Sequence, residues 1–453
     1  MKIHVVGVGG KGMAPAASLA VQAGHTVSGD DLVANHRTAA LMAAGVDVTI
    51  GMNDPSPAGA EVVVASTAAA ITSATGAGPR MISRLGLVQE LANDHGQQVV
   101  AVAGSLGKST ATTLLHHTLA VRDPSVYVGA DVSTLLCGAR IGAGDLAVVE
   151  ACEYRDAYRA LQPAALVVLN VHAHHEDWFG PGTNGFTASL DRLIAANADR
   201  LTRVVCWQDV PTLHSGGRDE RVQMVGFGEL AAWRVYTVDA HRYGSVFRLD
   251  HHDAQVGVFS VPAPGQHMVV AAACAAVIGT LLGCDAGDLR EGMARFTLPG
   301  RRMSVVAETD GVVIVDDNAR HPAQATALVE ALRQAWPDRV VHLLVSPWGK
   351  LNRRDLTAWA AGLSAADVVW VLPVGECATT AGGAEDPNAA GQLATLVRRL
   401  GRTSYVGADP QQLAEVVQAD RVMGRAVVVA GVGYDANTAA FTPFTEALTV
   451  PQR

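Results

Sequence analysis

The stretch that most constrains this 453-residue chain runs from Gln97 to Val121 and contains Gly104-Ser-Leu-Gly107-Lys108-Ser109-Thr110. Val99, Val100 and Val102 predict a buried strand, the two glycines a tight turn, and the apolar spacing from Ser109 onward a helix. In a strand, glycine turn and helix the backbone can approach a polyphosphate closely enough for its N–H groups to point at the oxygens, and Lys108 adds a mobile positive charge. Ser109 would then offer its hydroxyl to Mg²⁺, so Gly104, Ser105, Gly107, Lys108, Ser109 and Thr110 form the candidate phosphate-binding set. The loop is shorter than the general Walker pattern, because Val102 stands where that pattern has glycine. An ordinary strand-to-helix turn carrying a surface lysine is the competing explanation.

A second glycine-rich loop lies near the N-terminus. Ile3 to Val6 predicts a strand, Gly7-Val-Gly9-Gly10-Lys11-Gly12 a loop, and the alanine-rich run to about Ala23 a helix. A further strand from His25 to Ser28 leads into Gly29-Asp30-Asp31. This is a dinucleotide fingerprint, with glycines for close approach and an acid for a ribose hydroxyl. The pattern alone admits NAD(P), another ligand, or a Rossmann-like unit that binds nothing.

Length predicts more than one core, and 49% hydrophobic against 17% charged residues is ample to fill several. A net charge of −9 argues against a nucleic-acid partner that needs a broad basic surface. Six cysteines without a Cys-x-x-Cys pair indicate neither a zinc knuckle nor a disulfide framework. With no stretch approaching a membrane span and no charged leader before Ile3, the expectation is a cytoplasmic chain.

Downstream of the phosphate loop, a predicted strand from Asp145 ends at Glu150-Ala-Cys-Glu153. The next, Leu166 to Leu169, ends at Asn170-Val-His172-Ala-His174-His175. Ligands gather beyond the carboxyl ends of parallel strands, where both clusters fall. Short apolar runs between 201 and 262 predict further strands, and a core helix follows His267. Strands at 312–315, 340–345, 368–373, 404–406 and 426–430 predict a second doubly wound unit.

Taken in order, the Ile3 to Met13 block, Ser28-Gly-Asp-Asp31 and Ala103 to Thr110 resemble the Mur ligase family, and the resemblance extends to about Gly433. It implies an α/β fold of three domains: a Rossmann-like domain over 1–95, a central P-loop domain with a parallel or mixed sheet over 96–298, and a Rossmann-like closure domain over 299–453. It further implies an ATP- and Mg²⁺-dependent enzyme of peptidoglycan synthesis. Such an enzyme joins a UDP-N-acetylmuramate-like carboxylate to an amino acid through an acyl phosphate, acting as a monomer or homodimer on small molecules. By this resemblance Gly9, Gly10, Gly12 and Asp31 serve UDP; Lys108, Glu153 and His175 are catalytic; and Ser109, Glu153 and His175 hold the metal.

The resemblance places His267, Arg302 and Asp317 at the nucleotide, and His321, Lys350 and Arg353 at the substrate, with Arg301 and Arg354 as alternatives to their neighbours. It likens Ala430 to Tyr434 to a glycine-rich terminal turn. Several positions depart from the family pattern. His174 stands where the family has Asp, Met268 and Ala271 replace two asparagines of the adenine site, and Gly349 and Asn352 fall on two arginine positions. Such departures keep two other readings open: a relative redirected to a recycled wall fragment or specialised metabolite, and a silent nucleotide-binding partner.

Overall fold

The computed structural model describes residues 1–51, 59–65, 78–210, 219–252, 254–309, 311–346, 355–372, 388–407, 409–433, 442–443 and 446–448. Three sheets carry the α/β fold. In the first, the strands Asp47–Ile50, Thr26–Asp31, Lys2–Val6, Val62–Ala65 and Arg80–Ser83 lie side by side in that order. All are parallel, as expected where helices cross over between them. Ile3, Val5 and Val62 to Val64 are fully buried, because a sheet packed on both faces needs continuous apolar strands.

The second sheet has ten strands, with Gln98–Ala103 near its middle between Leu146–Glu150 and Ala165–Val168. Both neighbours run parallel to it, so the three strands end on the same side. Towards one edge come Arg203–Trp207, Val222–Gly226, Trp233–His241, Gly244–His251 and Ala254–Val261; towards the other, Ser125–Tyr127 and the antiparallel Ala139–Arg140. The helix Gln266–Leu281 is buried from Met268 to Gly279 almost without interruption, matching a segment apolar on every face.

The third sheet orders Ser304–Thr309, Val312–Asp317, Val427–Gly433, Val340–Ser346, Val368–Val371 and Thr403–Val406, antiparallel only at the first pair. Alternation fixes its two cores. Val428, Ala430 and Val432 face one cluster and Val427 and Val429 the other. Ala430 to Gly433 are therefore the buried end of a central strand and not a terminal turn, since hydrogen-bonded neighbours on both sides hold them extended; Tyr434 lies outside the described residues.

By contact the chain divides into two compact units. One comprises Met1–Asp239, Val246–Pro262 and Met268–Gly300, and the other comprises Ala240–Ser245, Ala263–His267 and Arg301–Arg453. In the first unit the helix Met13–Gln22 is bound to the ten-stranded sheet. Ser18 Oγ donates to Leu136 O at 2.8 Å, Ile141 N to Gln22 Oε1 at 3.0 Å, and Tyr127 Oη to Gly12 O at 2.8 Å. Cys137, Cys152, Cys206, Cys274 and Cys284 are free thiols, in keeping with the absence of any disulfide signal. Among the described residues no helix is long and apolar enough to cross a membrane.

Candidate active site

The phosphate loop leaves the strand Gln98–Ala103 at Gly104, whose φ of 137° suits glycine; an added Cβ would meet Asn170 N and Leu169 Cβ at 3.2 Å. Gly107, at φ 81°, turns the chain into the helix Lys108–Thr118. Asn170, at the end of the adjacent strand, fixes the loop between these points. Its Oδ1 accepts from Leu106 N and its Nδ2 donates to Leu106 O, both at 2.9 Å. Ser105 is joined to His172 by a second reciprocal pair, Ser105 Oγ to His172 O at 3.1 Å and His172 N to Ser105 Oγ at 2.9 Å. The neighbouring strand thus holds the loop open as a cradle of backbone N–H groups at a helix N-terminus, an arrangement suited to anions. Ser109 and Thr110 are buried in the first helical turn.

Lys108 folds back over this cradle. Its Nζ donates to Gly104 O at 2.7 Å and to Ser105 O at 3.2 Å, and pairs with Glu153 Oε2 at 2.8 Å. Glu153 is only 2% exposed, so burial alone would raise its carboxyl pKa. The charge of Lys108 and hydrogen bonds from His174 and Lys108 outweigh burial and hold it at about 2. Its other oxygen faces two imidazoles: Oε1 lies 3.4 Å from His174 Nδ1 and 3.7 Å from His175 Nε2. His175 is pushed down to about 4 by burial, with the neighbouring His174 adding to the effect, and is neutral at pH 7. The chain around them is bent into uncommon backbone, with His175 at φ 53° and the consecutive Arg155 and Asp156 at 53° and 55°. Glu150, by contrast, is turned away to accept from Gly129 N at 2.7 Å.

The structure thus brings together Gly104, Ser105, Gly107, Lys108, Ser109, Glu153 and His175 of the expected set. Two further residues belong with them. Asn170 positions the loop, and His174 completes the group facing Glu153. An asparagine placed at a strand end beside a phosphate loop was the available signal for the first. For the second it was the run of histidines at 172, 174 and 175.

The N-terminal loop is built differently. Gly7 N donates to Asp30 Oδ1 at 3.1 Å, and Gly9 N to Asp31 Oδ2 at 2.8 Å. Arg37 Nε donates to Gly9 O at 3.2 Å and its Nη1 reaches Asp131 Oδ2 at 3.4 Å. The fingerprint acid therefore braces the loop through Gly9 while lying beside it. Gly10 is exposed, and a Cβ on Gly12 would meet the Arg84 guanidinium at 3.1 Å.

In the second unit Arg301 is held by Asp316 through Nε at 2.8 Å and Nη2 at 3.1 Å. Arg302 donates to Asn318 O, and Asp317 Oδ2 accepts from Met303 N at 2.8 Å. Burial raises the Asp317 carboxyl against the pull of Arg302, while burial and the same Arg302 push His267 down to about 4. His321 caps the helix Pro322–Ala335, its Nδ1 accepting from Ala323 N at 3.2 Å. Lys350, Arg353 and the adjoining Trp348, Gly349, Asn352 and Arg354 lie outside the described residues.

Two family models match the chain. One, described as Mur ligase family, catalytic domain, covers residues 2–95; the other, described as Mur ligase, glutamate ligase domain, covers residues 301–433. A UDP-N-acetylmuramate--L-alanine ligase of Symbiobacterium thermophilum is 30% identical over 459 residues, 95% of this chain and 92% of the relative. Another, of Anaeromyxobacter dehalogenans, is also 30% identical and covers 95% of both chains. Among solved structures, a UDP-N-acetylmuramate-alanine ligase from Thermotoga maritima superposes with a TM-score of 0.77 at 19% identity over 98% of each chain. A murein peptide ligase from Psychrobacter arcticus reaches a TM-score of 0.62 at 17% identity over the full length of both. These likenesses bear out the three-domain α/β fold. With both family models matched and a 30% identical relative aligned over nine-tenths of its length, the chain belongs to the Mur ligase family.

Proposed function

We propose that this Mur ligase forms an amide between the carboxylate of UDP-N-acetylmuramate and the amine of L-alanine, converting ATP to ADP and phosphate. The observation that carries the reading is the Lys108–Glu153 ion pair at the mouth of the phosphate loop, with His175 beside it. The full-length relatives that carry this activity in their names support it. The ATP-dependent ligase class follows from the same family membership.

In the proposed sequence a donor carboxylate oxygen attacks the γ-phosphorus, and ADP leaves. The amine then attacks the acyl carbon of the resulting acyl phosphate, and inorganic phosphate departs with the C–O bond electrons. The backbone N–H groups from Gly107 to Thr110, at the helix N-terminus, bind the β- and γ-phosphates, while those of Ser105 and Leu106 are taken by Asn170. Lys108 exchanges the carbonyls of Gly104 and Ser105 for phosphate oxygens, so its charge is supplied where negative charge accumulates. Glu153, ionised at neutral pH, has no proton to give and acts electrostatically. The buried Glu153 carboxylate and the neutral His175 imidazole suit a divalent cation, and the Ser109 hydroxyl suits the Mg²⁺ that accompanies ATP. Such an ion, when bound, screens the repulsion between donor carboxylate and γ-phosphate.

On the family pattern, Gly9, Gly10, Gly12 and Asp31 are proposed as UDP contacts. His267, Arg302 and Asp317 are proposed for the nucleotide, and His321, Lys350 and Arg353 for the amino acid. The ATP and UDP-linked substrates set the reaction in the cytoplasm. The test is incubation with ATP, Mg²⁺, UDP-N-acetylmuramate and L-alanine, with ADP release and product mass as readouts. A product heavier by one alanine residue is expected. No ADP above background, with alanine or with pooled amino acids, refutes the reading.

A further inference from the structure

Glu153, His174 and His175 reach one point from two strand ends, and their donor atoms all lie within 4.8 Å of one another. Ligands about 2.0–2.1 Å from a shared ion in a tetrahedron are spaced about 3.4 Å apart. The carboxylate–imidazole separations of 3.4 and 3.7 Å are close to that spacing. The remaining carboxylate oxygen is taken by Lys108, which turns Oε1 towards the rings. The two rings meet edge to face at 3.9 Å between centroids, and the Tyr154 ring lies 4.5 Å from His175, so both imidazoles are held in place. They are half-buried, which leaves a path for an ion.

The donor set is one oxygen and two nitrogens. Mg²⁺ prefers oxygen ligands and gives up its waters reluctantly, whereas imidazole suits the later first-row ions. An aspartate at position 174, as in the family pattern, would keep the set rich in oxygen. Histidine there shifts it towards nitrogen.

We propose that Glu153, His174 and His175 form a protein-held site for a borderline first-row divalent ion, such as Co²⁺ or Zn²⁺, taken in preference to Mg²⁺. The inference deepens the ligase reading and rests on it only for the part the ion plays in amide formation. It leaves Ser109 and the ATP phosphates to Mg²⁺.

The full chain, stripped with chelator and free of nucleotide, is titrated with Co²⁺, read by its visible d–d absorption, and with Mg²⁺, read by competition against Co²⁺. Co²⁺ is expected to bind about 100-fold or more tightly than Mg²⁺, with d–d bands shifted from those of the aqueous ion as imidazole nitrogen replaces water oxygen. His174→Asp is expected to lose about 10–100-fold in Co²⁺ affinity, the scale on which a lost metal-site partner acts, while Mg²⁺ binding holds or strengthens as the donor set gains oxygen. Equal affinities of the unmodified chain for the two ions overturn the proposal, whether or not the variant folds. So does a cobalt spectrum that His174→Asp leaves unaltered. Because no nucleotide or acyl donor is present, normal cobalt binding by a chain that makes no amide upholds the metal site and counts against the ligase reading alone.

Discussion

Replacing Lys108 with methionine removes the ammonium that faces Glu153 and keeps most of the side-chain volume. The carboxyl of Glu153 is held at about 2 against an ordinary 4.5, a preference for the ionised form worth roughly 3 kcal/mol. Without Lys108, burial dominates and the carboxyl rises above its ordinary value. At pH 7 the first unit then loses about 3 kcal/mol, in line with the cost of stranding one member of a buried pair. The sign follows from linkage. Because folding depresses this pKa, its stabilisation is complete above pH 4.5 and is lost as pH falls through about 2, so the deficit of Lys108→Met narrows across that interval. Adding Glu153→Gln to Lys108→Met should restore most of the loss, since the neutral amide needs no counter-charge. The assay is hydrogen exchange read by mass spectrometry over Gln98–Ala103 and Lys108–Thr118, comparing opening free energies of the parent, both single variants and the double variant. A loss under about 1 kcal/mol, or single effects that simply add, refutes the claim that the pair sustains the site.

Two further outcomes follow from separate parts of the molecule. Asn170→Ala removes both hydrogen bonds to Leu106 and is expected to raise the KM for ATP about 10-fold or more, with a smaller change in kcat, in steady-state assays; an unchanged KM would show that the loop needs no such clamp. In the second unit, Trp370 Nε1 donates to His342 Nδ1 at 3.2 Å, leaving His342 Nε2 to donate to Asp420 at 3.0 Å. Asp420→Leu strands that buried N–H and should cost the second unit about 1–3 kcal/mol in urea unfolding followed by tryptophan fluorescence, with ATP binding unaffected.

Much of this was legible from residue order alone. Glycine, lysine and serine between a β-branched run and a helix specify a phosphate cradle because few other sequences satisfy its backbone, and Glu153 and His175 were readable because parallel strands deliver their ends to one side. What escaped was whatever depends on lateral neighbours. Asn170 stands out as an asparagine at a strand end, but only the strand order that sets it beside Leu106 shows which backbone groups its amide holds. His174 reads as a mere departure until the backbone at His175 turns left-handed and sets both rings against one carboxylate. Ala430 to Gly433 read as a turn only through their likeness to the family's glycine-rich terminus. Here the glycines lie in a strand that is buried along its whole length and paired with strands on both sides.

The bonds from Ser18, Gln22 and Tyr127 have a practical consequence for anyone exchanging parts between relatives. A graft joined near residue 95 would sever an internal seam, leaving a phenol and several carbonyls without the surface they were shaped against. One joined after Gly300 still splits the second compact unit, because Ala240–Ser245 and Ala263–His267 belong to it and Gln334 is bonded to Gly244, Ser245 and Gly265. The N-terminal loop should therefore transplant only together with the ten-stranded sheet, and the C-terminal portion only together with the two short segments that belong to its unit.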